Sequence, residues 1–82
     1  MDLKSLRQAI DAIDARILGL LNKRAKVILD IGKIKSRSMK SIYVPEREKN
    51  VYDKLVSMNR GPLPNSSLKS IYREVMSSAL AM

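Results

Sequence analysis

The sequence predicts an all-α fold with three helices per chain, on three observations. Apolar residues recur in steps of three and four for more than four heptads from Leu3 onward. Chain breakers fall in only two places, a serine-rich stretch before Pro45 and the run Gly61-Pro62-Leu63-Pro64. No stretch carries the period of two that a half-buried strand requires. The 82 residues allow one domain, 1–82, whose modest core needs very regular packing or a partner chain.

The first helix is read from about Leu3 to Ser36. Its seam is Leu3, Leu6, Ile10, Ile13, Ile17, Leu20, Val27, Ile31 and Ile34. At ~1.5 Å per residue this rod is about 50 Å long, more than the diameter of a compact domain this small. A stripe of that length needs another long helix beside it, and a second copy of the chain is the economical source. Arg24 holds the one seam position that is not apolar. A cation there must be paired or it is costly. Two readings stand level. Arg24 snorkels to the edge or pairs with a buried acid, or it awaits an anionic ligand. Gly19 and Gly32 inside the helix each cost about 1 kcal/mol relative to Ala. They are either tolerated or kept for close approach of a helix or ligand.

Ser36 to Val44 reads as a loop. Pro45 suits the first position of a second helix, and Glu46 and Glu48 complement the dipole in its first turn. Val51, Leu55 and Met58 give that helix an apolar stripe, and it should end near Asn59-Arg60-Gly61. Asn65 or Ser66 is expected to cap a third helix. Its buried face is Leu68, Ile71, Tyr72, Val75 and Met76, continued by Ala79 and Leu80. No stop signal follows. Either the last turn frays or the chain is one piece of a longer polypeptide.

Composition narrows the chemistry. There are 16 Lys+Arg against 8 Asp+Glu, a formal charge of +8, with no His and no Cys. A disulfide framework, a thiol nucleophile and Ser-His-Asp catalysis are therefore excluded within the chain. The commonest metal ligand is missing too, and no metal site is expected. What remains suits binding an anion better than moving protons. A basic excess has three ordinary partners: nucleic acid, an anionic membrane surface or a small polyanion. Aromatic content is 4 %, all Tyr, which weakens a single-strand binder. No apolar run approaches the ~20 residues of a membrane span, and Met-Asp-Leu-Lys is no signal peptide. A cytoplasmic protein is the default expectation.

Arg24 and Lys35 lie 11 residues apart, close to three turns. They leave one helix face with Cα atoms roughly 16 Å apart, so a ligand of sugar-ring size could touch both tips. Arg7 is about 26 Å from Arg24 along the same rod. If all three serve one site, Arg7 must come from another copy of the helix running antiparallel. Arg47-Glu48 follows the loop after Lys35. Glu48 could accept a hydrogen bond from a ligand hydroxyl, with Arg47 holding Glu48 or a carboxylate. Spacing alone favours plain dipole complementation with Arg47 solvated. Arg7–Asp11 and Lys26–Asp30 have ion-pair spacing, and the other cations, Arg73 among them, read as solvated surface.

Together these residues resemble the all-helical class of chorismate mutase. Leu6-Arg7, Ile10-Asp11, Ile13-Asp14, Ile17, Leu20-Leu21, Lys23-Arg24 and Ile31-Gly32-Lys33-Ile34-Lys35 are like its first helix. Pro45-Glu46-Arg47-Glu48 is similar to its second-helix signature. Ile71-Tyr72-Arg73-Glu74-Val75-Met76-Ser77 resembles the third helix of versions fused to prephenate dehydratase. The resemblance covers nearly the whole chain and implies an intertwined six-helix homodimer with antiparallel first helices and two sites. It implies conversion of chorismate to prephenate by Claisen rearrangement, on the route to phenylalanine and tyrosine, with no cofactor. Carried over by position, Arg7 of one subunit and Arg24 of the other would clamp the substrate carboxylates. Lys35 would bind a carboxylate and the ether oxygen. Glu48 would accept from the ring hydroxyl with Arg47 in support, and Ile31 would supply an apolar wall.

Three positions depart from the family pattern. Val44 stands where many members have Asp, and Ala79 where a small polar residue often meets a carboxylate. The Gln or Glu that faces the ether oxygen would fall at position 83, which leaves Lys35 without its usual co-ligand and weakens activity if the chain ends at Met82. The expectation is a domain cut from a longer, bifunctional polypeptide. Two other readings compete: a basic helical dimer gripping nucleic acid, and a plain helix-association module in which Arg24 sets the register.

Overall fold

The computed structural model describes residues 1–37 and 45–82. Val44 and the rest of the expected loop from residue 38 lie outside the described residues. The described residues form three helices and no strand: α1 (Leu3–Arg37), α2 (Pro45–Met58) and α3 (Asn65–Leu80). α1 runs one residue beyond the expected Ser36, so Ser36 and Arg37 are helical rather than loop.

Local chemistry sets the ends. Asp2 caps α1: its Oδ1 accepts the Ser5 backbone N–H at 2.7 Å, and its carbonyl accepts from the Leu6 N–H at 3.1 Å. The Ser5 backbone hydrogen bond holds the Asp2 carboxyl below its ordinary value of 3.8. α2 begins at Pro45, with Glu46 and Glu48 in its first turn, as its dipole favours. Along α1, Asp30 pairs with Lys33 at 3.9 Å rather than with Lys26. On α2, Lys49 pairs with Asp53 at 3.6 Å. Both pairs are exposed and stabilise by a few tenths of a kcal/mol at most.

The turn between α2 and α3 is organised by Asn59. Its Nδ2 donates to the Leu63 carbonyl at 2.8 Å and to Asn65 Oδ1 at 2.7 Å. Its Oδ1 accepts the Gly61 N–H at 3.0 Å. Gly61 has φ +72°, the left-handed region that glycine enters without penalty. This network corrects the expected cap. Asn65 is already the first residue of α3 and its oxygen is committed to Asn59, so Pro64 occupies the cap position without a side-chain bond.

α3 packs against both α2 and α1. Met76, on α3, is the only buried residue among those described, at 7 % exposure. The seam of α1 is uncovered: Leu3, Ile10, Ile13, Ile17, Leu20, Val27 and Ile34 are all exposed. A Cβ at Gly19 would meet nothing within 4 Å. The chain measures 54 × 23 × 18 Å, with a radius of gyration of 15.9 Å. A compact chain of this length has about 12 Å. No helix among the described residues is long and apolar enough to cross a membrane.

Candidate active site

The three helices converge on one cavity of about 450 Å³. From α1 come Arg24, Ile28, Ile31 and Lys35, at spacings of four, three and four, which is one helix face. α2 contributes Arg47, Glu48 and Val51 from its first two turns, and α3 contributes Met76, Ala79 and Leu80. The cavity therefore gathers Arg24, Ile31, Lys35, Arg47, Glu48 and Ala79, all but one of the residues singled out from the sequence. Arg7 is the exception. It lies on the exposed N-terminal part of α1 and does not line this cavity.

Folding explains the grouping. α3 lies against both other helices, so the first turns of α2 face the C-terminal half of α1. Arg47 and Glu48, read from spacing alone as ordinary first-turn charges, come to line a pocket. Arg24 is half-exposed, and its side chain takes part in no ion pair or hydrogen bond among the described residues. Within the single chain the paired-acid reading finds no partner among the described residues, and the readings of an edge-directed cation and of a cation awaiting an anion both stand. Three cations and one carboxylate sit among walls of Ile28, Ile31, Val51, Met76 and Leu80. Apolar walls raise the strength of each charge–charge contact relative to open water. Such a cavity can hold a compact dianion by its carboxylates and a hydroxyl by Glu48.

Ile28, Val51, Met76 and Leu80 were not anticipated as site walls. Val51, Met76 and Leu80 read as core because core and cavity wall share one periodicity. Ile28 had a usable signal: it falls four residues after Arg24 and seven before Lys35, on the face those two define. Ala79 presents only a methyl group to the cavity.

Comparison with known proteins places these features in a family. The family model for chorismate mutase type II matches residues 6–82. A bifunctional chorismate mutase/prephenate dehydratase from Aquifex aeolicus is 45 % identical over 85 residues, covering 99 % of this chain and 24 % of that protein. The enzyme of the same name from Neisseria gonorrhoeae is 47 % identical over 76 residues, covering 93 % of this chain and 20 % of that protein. The chain thus spans about a quarter or less of the length of these curated relatives. The structure of chorismate mutase (form II) from Thermus thermophilus superposes with a TM-score of 0.95 at 26 % identity, covering 98 % of this chain and 91 % of that one. The chain belongs to the chorismate mutase type II family.

Proposed function

We propose that this chain converts chorismate to prephenate, acting as a homodimer whose first helices pair antiparallel. The carrying observation is the cavity that brings Arg24, Lys35, Arg47 and Glu48 together inside apolar walls. The rearrangement is pericyclic: the ether C–O bond breaks as a C–C bond forms, with no proton transfer and no cofactor. Absence of His is no handicap to such a step. Arg24 and the partner's Arg7 clamp the two carboxylates and hold the substrate in a compact, chair-like conformer. Lys35 places positive charge at the ether oxygen, where negative charge develops as the bond breaks. Glu48 accepts the ring hydroxyl, Arg47 supports Glu48, and Ile31 closes one wall. Ala79 touches the substrate only through its methyl group.

Surface area supports the dimer. A folded chain of 9.2 kDa exposes about 4,900 Å², whereas this one exposes 7157 Å². The excess of about 2,200 Å² per chain lies in the range that obligate dimers bury. Heptad layers restrict the register. Pairing residues whose numbers sum to 30 sets Leu3 on Val27, Leu6 on Arg24, Ile10 on Leu20 and Ile13 on Ile17. Registers one heptad away set Arg7 near Arg16 or Asp30, whereas this one sets it beside the partner's Arg24. Neither the family nor the concave, apolar-walled setting of the site cations favours the nucleic-acid reading. A cytoplasmic setting fits the substrate, and the domain's place in a longer bifunctional polypeptide fits its relatives. Mixing the folded protein with chorismate and following ultraviolet absorbance tests the activity. Loss of chorismate above background is expected, and none from a confirmed dimer would end the reading.

A further inference from the structure

Glu48 borders two cavities. One is the site cavity. The other, about 470 Å³, lies between α2 and α3 and is lined by Glu48, Tyr52, Arg73, Ser77 and Leu80. Glu48 and Tyr52 stand one turn apart on α2, and Arg73, Ser77 and Leu80 form one face of α3. Leu80 borders both cavities, whereas Arg73 and Ser77 line only this one of the two and Met76 and Ala79 only the site cavity. Arg73 therefore shares with Glu48 a cavity that Arg24, Lys35 and Arg47 do not line. Arg73 belongs to neither ion pair of the described residues. Its guanidinium carries five donors in a planar fork on a long stem.

Resting on the reading of Glu48 as acceptor of the substrate hydroxyl, we propose that Arg73 is a positioning residue that orients the Glu48 carboxylate from the α2–α3 cavity. A carboxylate bordering three site cations is drawn toward them and away from a neutral hydroxyl. A cation on its other flank offsets that pull. The Arg73 fork engages one carboxylate oxygen, directly or through one water, and leaves the second oxygen turned to the substrate. Tyr52 and Ser77 line the same cavity with hydroxyls that can hold such a water. Arg73 touches neither the substrate nor the reacting atoms.

The test compares kinetics on chorismate and on an analogue lacking the ring hydroxyl, using Arg73→Gln, Arg73→Lys and Glu48→Ala dimers whose helicity matches the parent. Arg73→Gln should lower kcat/KM on chorismate about five- to tenfold, the size of one oriented hydrogen bond, and Arg73→Lys should recover most of it. On the analogue the loss should shrink below about twofold, since Glu48 then has no hydroxyl to accept a hydrogen bond from. Equal losses on both substrates would make Arg73 merely structural and overturn the proposal. So would an unimpaired Arg73→Gln beside an impaired Glu48→Ala. A fully active Glu48→Ala, in which no side-chain acceptor remains, would instead overturn the reading of Glu48, and the proposal with it.

Discussion

Replacing Arg24 with Leu should push activity and stability in opposite directions. In the proposed dimer Arg24 occupies a heptad seam layer opposite the partner's Leu6, yet it has no ion pair among the described residues. Among the described residues no salt bridge is lost when the guanidinium is removed. A leucine in that layer gains apolar burial, worth about 1.5–3 kcal/mol when the side chain is fully covered by the partner. Substrate binding loses a charge contact instead. Two unit charges about 4 Å apart at an effective dielectric near 20 interact by about 4 kcal/mol, or about a thousandfold in rate if the contact acts mainly in the transition state. The assays are chorismate turnover by absorbance and urea unfolding at fixed protomer concentration. The expected pair of results is kcat/KM down by two to three orders of magnitude and a raised urea midpoint. Activity within a few-fold of the parent would take Arg24 out of the site. A fall in both quantities would mean that Arg24 is held by a buried acid, and the seam argument would fail.

Mixing Arg7→Ala and Arg24→Ala chains under refolding conditions should restore about a quarter of parental activity, because half the dimers are mixed and each carries one intact site. No recovery above the separate variants would place Arg7 in its own chain's site. Asn59→Ala removes three hydrogen bonds from the turn between α2 and α3 and should cost about 1–3 kcal/mol, read as a lower urea midpoint with an unchanged slope. An unchanged midpoint would show that the turn holds without its side-chain hub. The Asp2 cap should be pH-dependent. Its carboxyl is held below 3.8, so the cap is intact above the ordinary value and is lost as pH falls through the lower folded value. Ser5 amide exchange, corrected for intrinsic rate, should lose protection over that window in the parent and not in Asp2→Asn, which keeps an uncharged acceptor. Equal profiles would mean the carboxylate charge does not matter.

The fold was legible where its determinants are local. The seam of α1 is a periodicity, and Pro45 and Gly61-Pro62 interrupt the chain where α2 begins and where the turn after it forms. Reading failed where two distant groups compete for one partner. Asn65 has the chemistry of a cap, but Asn59, six residues earlier, takes its oxygen. Propensity at position 65 cannot register that competition. The Asp2 cap was readable, since an Asp directly before the first seam residue is an ordinary start signal.

The candidate site was legible in proportion to how far each residue violates its helix's pattern. Arg24 breaks an apolar seam and announced itself. Lys35 follows by counting turns from Arg24, whereas Arg7 is too distant to reach along the same rod and does not line the cavity. Arg47 and Glu48 violate nothing, because charges in a first helical turn are normal. Only the packing of α2 through α3 onto α1 brings them to the cavity, and no periodicity encodes that contact. For those two the family resemblance supplied what spacing could not. Arg73 is the same case taken further. It sits among solvated-looking charges on α3, and it shares a cavity with Glu48 only once α2 and α3 are packed. A charge with a role such as the one proposed for Arg73, on an otherwise polar helix face, is thus the kind of residue a sequence hides best. The cavity between α2 and α3 is where such a residue would be found in this chain.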